Sequence, residues 1–162
     1  MKTMNDHVAE YTRQLQKGQI QQAFKGIMTF MSGLRKTIGK THPKHSLSAV
    51  YFGYMDMTYF ALVPEALKKK NLKIAIVYLH EQNKFEAWLA GGNRRVQAEY
   101  IGQLKQTKLE KYQLSQVSPG VDSIVEYCLV EQPDFNRDQE LMEQIQSRVD
   151  EFIRDILPLL GE

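Results

Sequence analysis

Residues 72–104, LKIAIVYLHEQNKFEAWLAGGNRRVQAEYIGQL, constrain the fold more than any other stretch. They read as strand, tight turn, strand, diglycine turn and helix. Leu72–His80 alternates Ile74, Ile76 and Tyr78 with Ala75, Val77 and Leu79. A strand that is apolar on both sides lies centrally, covered on at least part of both faces. Gln82-Asn83 has the length of a two-residue hairpin loop, and Asn tolerates positive φ. That register sets Glu81 opposite Lys84, His80 opposite Phe85, Leu79 opposite Glu86 and Val77 opposite Trp88. Gly91-Gly92 then ends the second strand. Asn93 is placed to cap a helix marked by Val96, Tyr100, Ile101 and Leu104.

The rest of the chain extends this pattern. Residues 6–16 predict a short helix with Val8, Tyr11 and Leu15 on one face, broken by Lys17-Gly18. A second helix follows over 19–38, with Ile20, Phe24, Ile27, Met31, Leu34 and Ile38 spaced for one docked side. Gly26 and Gly33 weaken it, each a point of close approach for a neighbour. Thr41–Ser46 is a loop. The run SLSAVYFGYMDMTYFALV predicts two short strands or one bent at Gly53. Pro64 opens a short helix. Tyr112–Val117 and Ser123–Val130 predict two strands around the turn Ser118-Pro119-Gly120. A long helix begins after Pro133, with Leu141, Ile145, Val149, Phe152 and Ile156 as its core stripe. Strands joined by hairpins predict an α+β fold: a mainly antiparallel sheet, an N-terminal helical pair, and a long C-terminal helix packed on it, in one domain over 1–162.

A chain of 162 residues, 43% hydrophobic and 25% charged, can bury a core without metal or disulfide staples. Cys128 is its single cysteine, in the apolar run SIVEYCLV, and is expected to be a buried inert thiol. The start MKTMNDHVAEYTRQ is too polar for a signal peptide, and no apolar run approaches about 18 residues, so the expected location is cytoplasmic with no membrane partner. The net charge of +2 hides an asymmetry. Residues 11–55 carry seven basic side chains and no acid, whereas residues 120–162 carry eleven acids against three arginines, a net of −8. The two segments are expected to pack near each other. The sharper alternative, a basic face for a nucleic acid from Lys17 to Lys44, lacks interleaved aromatics for stacking bases.

Asn93, Arg94 and Arg95 form the candidate site with a physical mechanism behind it. Two arginines in the first helical turn oppose the helix dipole by about 0.3–1 kcal/mol each. Free amides, a flexible diglycine and two guanidinium groups suit a phosphate or carboxylate. The plainer alternative pairs both arginines with the acidic C-terminal helix. Asp56, between two methionines in YMDMTYF, is the second candidate; strand alternation puts it with Tyr54, Thr58 and Phe60, where a buried carboxylate needs a partner. Glu86 and Trp88 share a strand face and complete the ligand-binding candidates, although a lone Trp there is more often core. No catalytic residue is assigned. His80-Glu81 does not continue as HExxH, the E-x-K pattern of metal nucleases is missing, and His7, His42 and His45 have no cysteine partners for zinc, so neither metal nor cofactor is expected.

Three blocks, KGQIQQAFKGIMTFM (Lys17–Met31), YFGYMDMTYFALVP (Tyr51–Pro64) and LKIAIVYLHEQNKFEAWLAGGNRRVQ (Leu72–Gln97), together resemble a family of uncharacterised bacterial proteins of unknown function. In that family a similar GYMDMTYF block precedes a KIAIV…FE.WLAG.N..VQ block. The resemblance covers roughly the first two-thirds of the chain and leaves the acidic C-terminal helix outside. It implies a bacterial cytosolic, single-domain protein and transfers no catalytic residue.

The expectation is therefore a non-catalytic binding or interaction domain with an anion-binding corner. Its partner is a small anionic ligand or a protein, with exposed strand edges open to a homodimer. The competing class is an enzyme on a phosphorylated or carboxylated small molecule, which requires Asp56 or Glu86 to share a pocket with Arg94.

Overall fold

The computed structural model describes residues 1–118, 120 and 122–161. In chain order the elements are α1 (Met4–Gln16), α2 (Gln19–Thr41), β1 (Ser46–Leu47), β2 (Met57–Val63), α3 (Glu65–Lys68), β3 (Leu72–Leu79), β4 (Lys84–Gly91), α4 (Arg94–Leu104), β5 (Gln113–Leu114), β6 (Ser123–Glu131), a 3-10 turn (Phe135–Arg137) and α5 (Asp138–Leu159). The strands form one six-stranded sheet in the order β1-β2-β3-β4-β6-β5, with every neighbouring pair antiparallel. This is the expected α+β architecture with β3 in the interior. The two outermost strands are only two residues long, which offers little ladder to a second copy.

One face of the sheet is the core face. Phe60, Leu62, Ile74, Ile76, Tyr78, Phe85, Ala87 and Leu89 join a cluster with Met31, Leu34 and Ile38 of α2, Ile101 and Leu104 of α4, and the expected stripe of α5. Every buried apolar helical residue belongs to that cluster. The opposite face therefore carries no helical layer among the described residues. Ala61, Ala75, Val77 and Ala90 are buried on it nonetheless, beneath neighbouring strand side chains.

Several local expectations change. The β3–β4 loop has four residues, His80–Asn83, with Asn83 at φ 50°. Leu79 pairs with Lys84, Tyr78 with Phe85, Val77 with Glu86 and Ala75 with Trp88. The expected pairing was two residues out of register. A slip of two keeps every side chain on its face, so apolar alternation could not detect it. The closing contacts are tertiary: Tyr78 Oη donates to Asn83 Oδ1 (2.7 Å), and His80 N donates to Asp56 O (3.1 Å). Of the segment 46–63, only its ends are strands; Tyr51 bridges Tyr59 within the intervening loop. The strand expected over 112–117 shrinks to two residues, and Pro119 of the expected turn lies outside the described residues.

Gly18, at φ 80°, separates α1 from α2 as expected. α1 is capped by a reciprocal Thr3–Asp6 box yet buries no residue; Val8 and Tyr11 face solvent. The basic and acidic segments do meet, where His42 Nε2 lies 2.8 Å from Asp150 Oδ1 and Met142 Cε sits at the Cβ-less face of Gly33.

Candidate functional site

The sequence candidates fall on the helix-free face and its two ends. Chain geometry places Asn93 as the N-cap of α4, its Oδ1 accepting from Val96 N at 2.9 Å, with Arg94 and Arg95 at the first two helical positions. Gln97 N donates to Asn93 O, which leaves the Arg94 and Arg95 N–H groups outside the helix ladder. The corner encloses a cavity of about 180 Å³ lined by Lys73, Gly91, Gly92, Asn93, Arg94, Gln97 and Asp122.

The diglycine is closely packed rather than loose. A Cβ on Gly92 would stand 2.1 Å from Asn71 Oδ1, and one on Gly91 would stand 2.9 Å from Gln97 N. Only residues without a side chain let β4 turn this tightly into α4 against the Asn71 bend. Pairing of the arginines with α5 is overturned too: Arg94 Nη1 donates to Ser118 O at 3.1 Å, in the loop before β6. Arg95 makes no side-chain bond among the described residues.

Lys73 carries no signal in the sequence pattern. It pairs with Ala90 one step from the Leu72–Gly91 pair, on the face opposite the core, so its ammonium enters the corner. The hairpin pairing is the signal that would have found it, since the expected and the observed register both set Lys73 opposite the diglycine end of β4. Asp122 sets one negative charge beside the two cations.

Along β4, Lys84, Glu86 and Trp88 stand in a row on the helix-free face. Trp88, a ligand-binding candidate whose plainer alternative was a place in the core, is half-buried on this face by strand alternation. Glu86 is 7% exposed, and both its oxygens are engaged: Trp88 Nε1 donates to Oε1 at 2.7 Å and Lys84 Nζ lies 2.8 Å from Oε2. The carboxylate hydrogen bond is the main reason the Lys84 ammonium is held above its usual pKa. With both oxygens bonded, Glu86 has little left for a metal or a substrate proton. Cys128 is its cross-strand neighbour, half-buried rather than buried as expected, and burial pushes the pKa of its thiol up.

Asp56 is not a strand residue. It precedes β2 and is exposed, in a loop whose Gly53 (φ 75°) and Met55 (φ 64°) both take left-handed backbone. Asp56 Oδ1 accepts from Tyr54 N at 2.8 Å, and that backbone donor above all holds the carboxyl below its usual range. A Cβ on Gly53 would fall 2.0 Å from Met57 O, so only glycine fits there. Asp56 thus shapes a loop, and that loop presents Tyr51, Phe52, Tyr54 and Met55 to solvent, Tyr54 at 89% exposure. Tyr51 also packs on Tyr59 of the helix-free face, ring centroids 5.1 Å apart and planes at 42°.

His80, under this loop, joins it to the sheet. Thr58 Oγ1 donates to Phe52 O at 2.7 Å, and the hydroxyl has only one proton. The 2.8 Å contact between Thr58 Oγ1 and His80 Nε2 therefore has His80 donating. Burial, with Phe24 stacked on the ring, holds the imidazole below its usual pKa.

The two ends of this face are far apart. β3 has eight residues between them, about 25 Å at roughly 3.3 Å per residue. The cavity lined by Arg94 contains neither Asp56 nor Glu86, so the arrangement an enzyme on this site requires is not assembled. Nor is a dense basic face for nucleic acid: Lys25, Lys36 and Lys40 are strung along one side of α2, while Arg35 turns back to donate to Ser48 O at 2.6 Å. Among the described residues no group of three His, Cys, Asp or Glu could hold a metal, and no helix is long and apolar enough to cross a membrane.

No curated protein and no solved structure matches this chain. A family model does, over a span that takes in the acidic α5. With residues 4–160 matched, the chain belongs to the family described as Domain of unknown function (DUF7000).

Proposed function

We propose that this chain is a single-domain, non-catalytic binding protein of the bacterial cytosol whose ligand surface is the helix-free sheet face. The observation that carries this reading is the loop 51–55. Four large apolar side chains stand exposed in close succession on a backbone held in one shape by Gly53, Met55 and Asp56. Contiguous exposed apolar area of this kind marks interaction sites, and aromatic anchors on a preorganised loop lose little entropy on docking. The engaged state of Glu86 and the loop-shaping role of Asp56 favour binding over catalysis. The partner is a protein that packs apolar groups on Phe52 and Tyr54.

A second reading takes the Lys73–Arg94 corner as a site for a carboxylate or phosphate, from that partner or from a free small anion. It is supported by two cations and the first-turn amides of α4 around one cavity.

Affinity capture with the wild-type chain and with Phe52→Ser/Tyr54→Ser tests the first reading. A protein retained by the wild type and lost by the equally stable variant is expected. Equal capture by both sinks it. For the corner, thermal shifts with phosphate, sulfate and nucleotides are compared between wild type and Lys73→Ala/Arg94→Ala. A ligand at 100 times its dissociation constant adds about 2.7 kcal/mol, and the double variant is expected to lose that shift.

A further inference from the structure

A second concavity, separate from the helix-free face, lies where α2, the β3–β4 loop, the 3-10 turn and the start of α5 converge. Its volume is about 650 Å³, within the range of pockets that enclose small organic molecules. Phe30 and Phe135 form an aromatic wall, with ring centroids 5.5 Å apart and planes at 87°; Ile27 and Met142 add apolar sides.

Two features set this cleft apart from an ordinary packing defect. The first is Gly26. A glycine inside a helix costs about 1 kcal/mol against alanine, and such residues usually serve a close backbone contact. Gly33 does so, against Met142 Cε, but a Cβ on Gly26 would meet nothing within 4 Å. No packing contact requires Gly26, which lines the cleft. The second is charge. Asp138 is the one charged side chain in the lining, and it makes no ion pair among the described residues. Its Oδ1 accepts from Gln139 N, which leaves Oδ2 for a ligand.

We infer that this cleft binds a small molecule with an aromatic or branched apolar body and a single cationic amine, the body against Phe30 and Phe135 and the amine on Asp138. An anion of the same shape is disfavoured by the carboxylate and finds no cation in the lining.

The test uses phenethylamine and its anionic counterpart 3-phenylpropionate as probes, followed by protein chemical-shift titration on the full chain at neutral pH. The amine is expected to bind in the millimolar range, with shifts centred on Phe30, Phe135 and Met142, and at least tenfold more tightly than the acid. Gly26→Leu sets a bulky side chain on the lining at a position where a Cβ meets nothing within 4 Å, and is expected to abolish binding at an unchanged melting temperature. Asp138→Asn retains the fold and brings amine and acid to equal affinity. No binding of the amine, or binding unchanged by Gly26→Leu, overturns the site. Equal affinity of the two probes for the wild type overturns the assigned ligand class.

Discussion

The two faces of the central strands are made by the same residues taken alternately, yet they are stabilised differently. On one, Ile74, Ile76 and Phe85 meet three helices. On the other, Ala75, Val77 and Ala90 are just as inaccessible, but what shields them is a layer of strand side chains that includes Tyr59 and Trp88. Burial of the floor is therefore no guide to how a face is covered. A face shielded by a single layer of side chains keeps those side chains within reach of a partner, whereas a helical layer closes the surface.

Truncating neighbouring side chains of β3 that point to opposite faces separates the two kinds of cover. Ile76→Ala leaves a cavity beneath the helices and is expected to cost about 2–5 kcal/mol, read as a lowered denaturant midpoint. Val77→Ala, next along β3 and equally buried, removes fewer atoms beneath a layer that can settle, and is expected to cost about 1–2 kcal/mol. Equal costs would mean that the helix-free face is packed as tightly as the core, as it would be if a second copy already covered it in solution.

A smaller effect is expected from Trp88→Phe. It keeps most of the apolar cover while removing the N–H that serves Glu86, for about 1 kcal/mol in thermal unfolding. A variant as stable as wild type would show that Lys84 alone satisfies the carboxylate.

The smallest effect is a pH dependence at the end where the loop meets the sheet. Burial holds His80 below its ordinary 6.5, so the unfolded chain takes up the proton first as pH falls. The stability from neutral His80 is thus complete above 6.5 and lost as pH drops through the folded value. His80→Gln is expected to flatten this part of the stability profile, measured as melting temperature against pH. An unchanged acid slope would assign it to another group, of which His45, also held low by burial, is the first to test.

Much of the candidate site is legible in the residues alone. Asn93 caps α4 and the arginines open it because these are local features, set by neighbours in sequence. Where expectation and fold part, the cause is a contact between distant segments. Asp56 resembles a strand residue because Met, Asp, Met and Thr satisfy alternation; the left-handed Met55 and the pull of His80 N on its carbonyl take it out of the strand. The hairpin register slips by two because that error leaves every residue on its proper face. Lys73 stays hidden because a single lysine in an apolar strand has no local feature that ties it to the corner its pairing places it beside.

The residue pattern determined most of the elements, the inward stripes of α5 and of the C-terminal half of α2, and the mainly antiparallel α+β class, since periodicity and capping act over one or two turns of chain. Contacts between distant segments decided that the helices packed on the sheet share one of its faces and that Arg94 turns to Ser118 rather than to α5. They also decided that Glu86 is tied to Trp88 and Lys84, and that a cleft stands open beside Gly26. Each of these depends on which of several compatible surfaces meet, and a pattern of apolar and polar residues is the same for all of them.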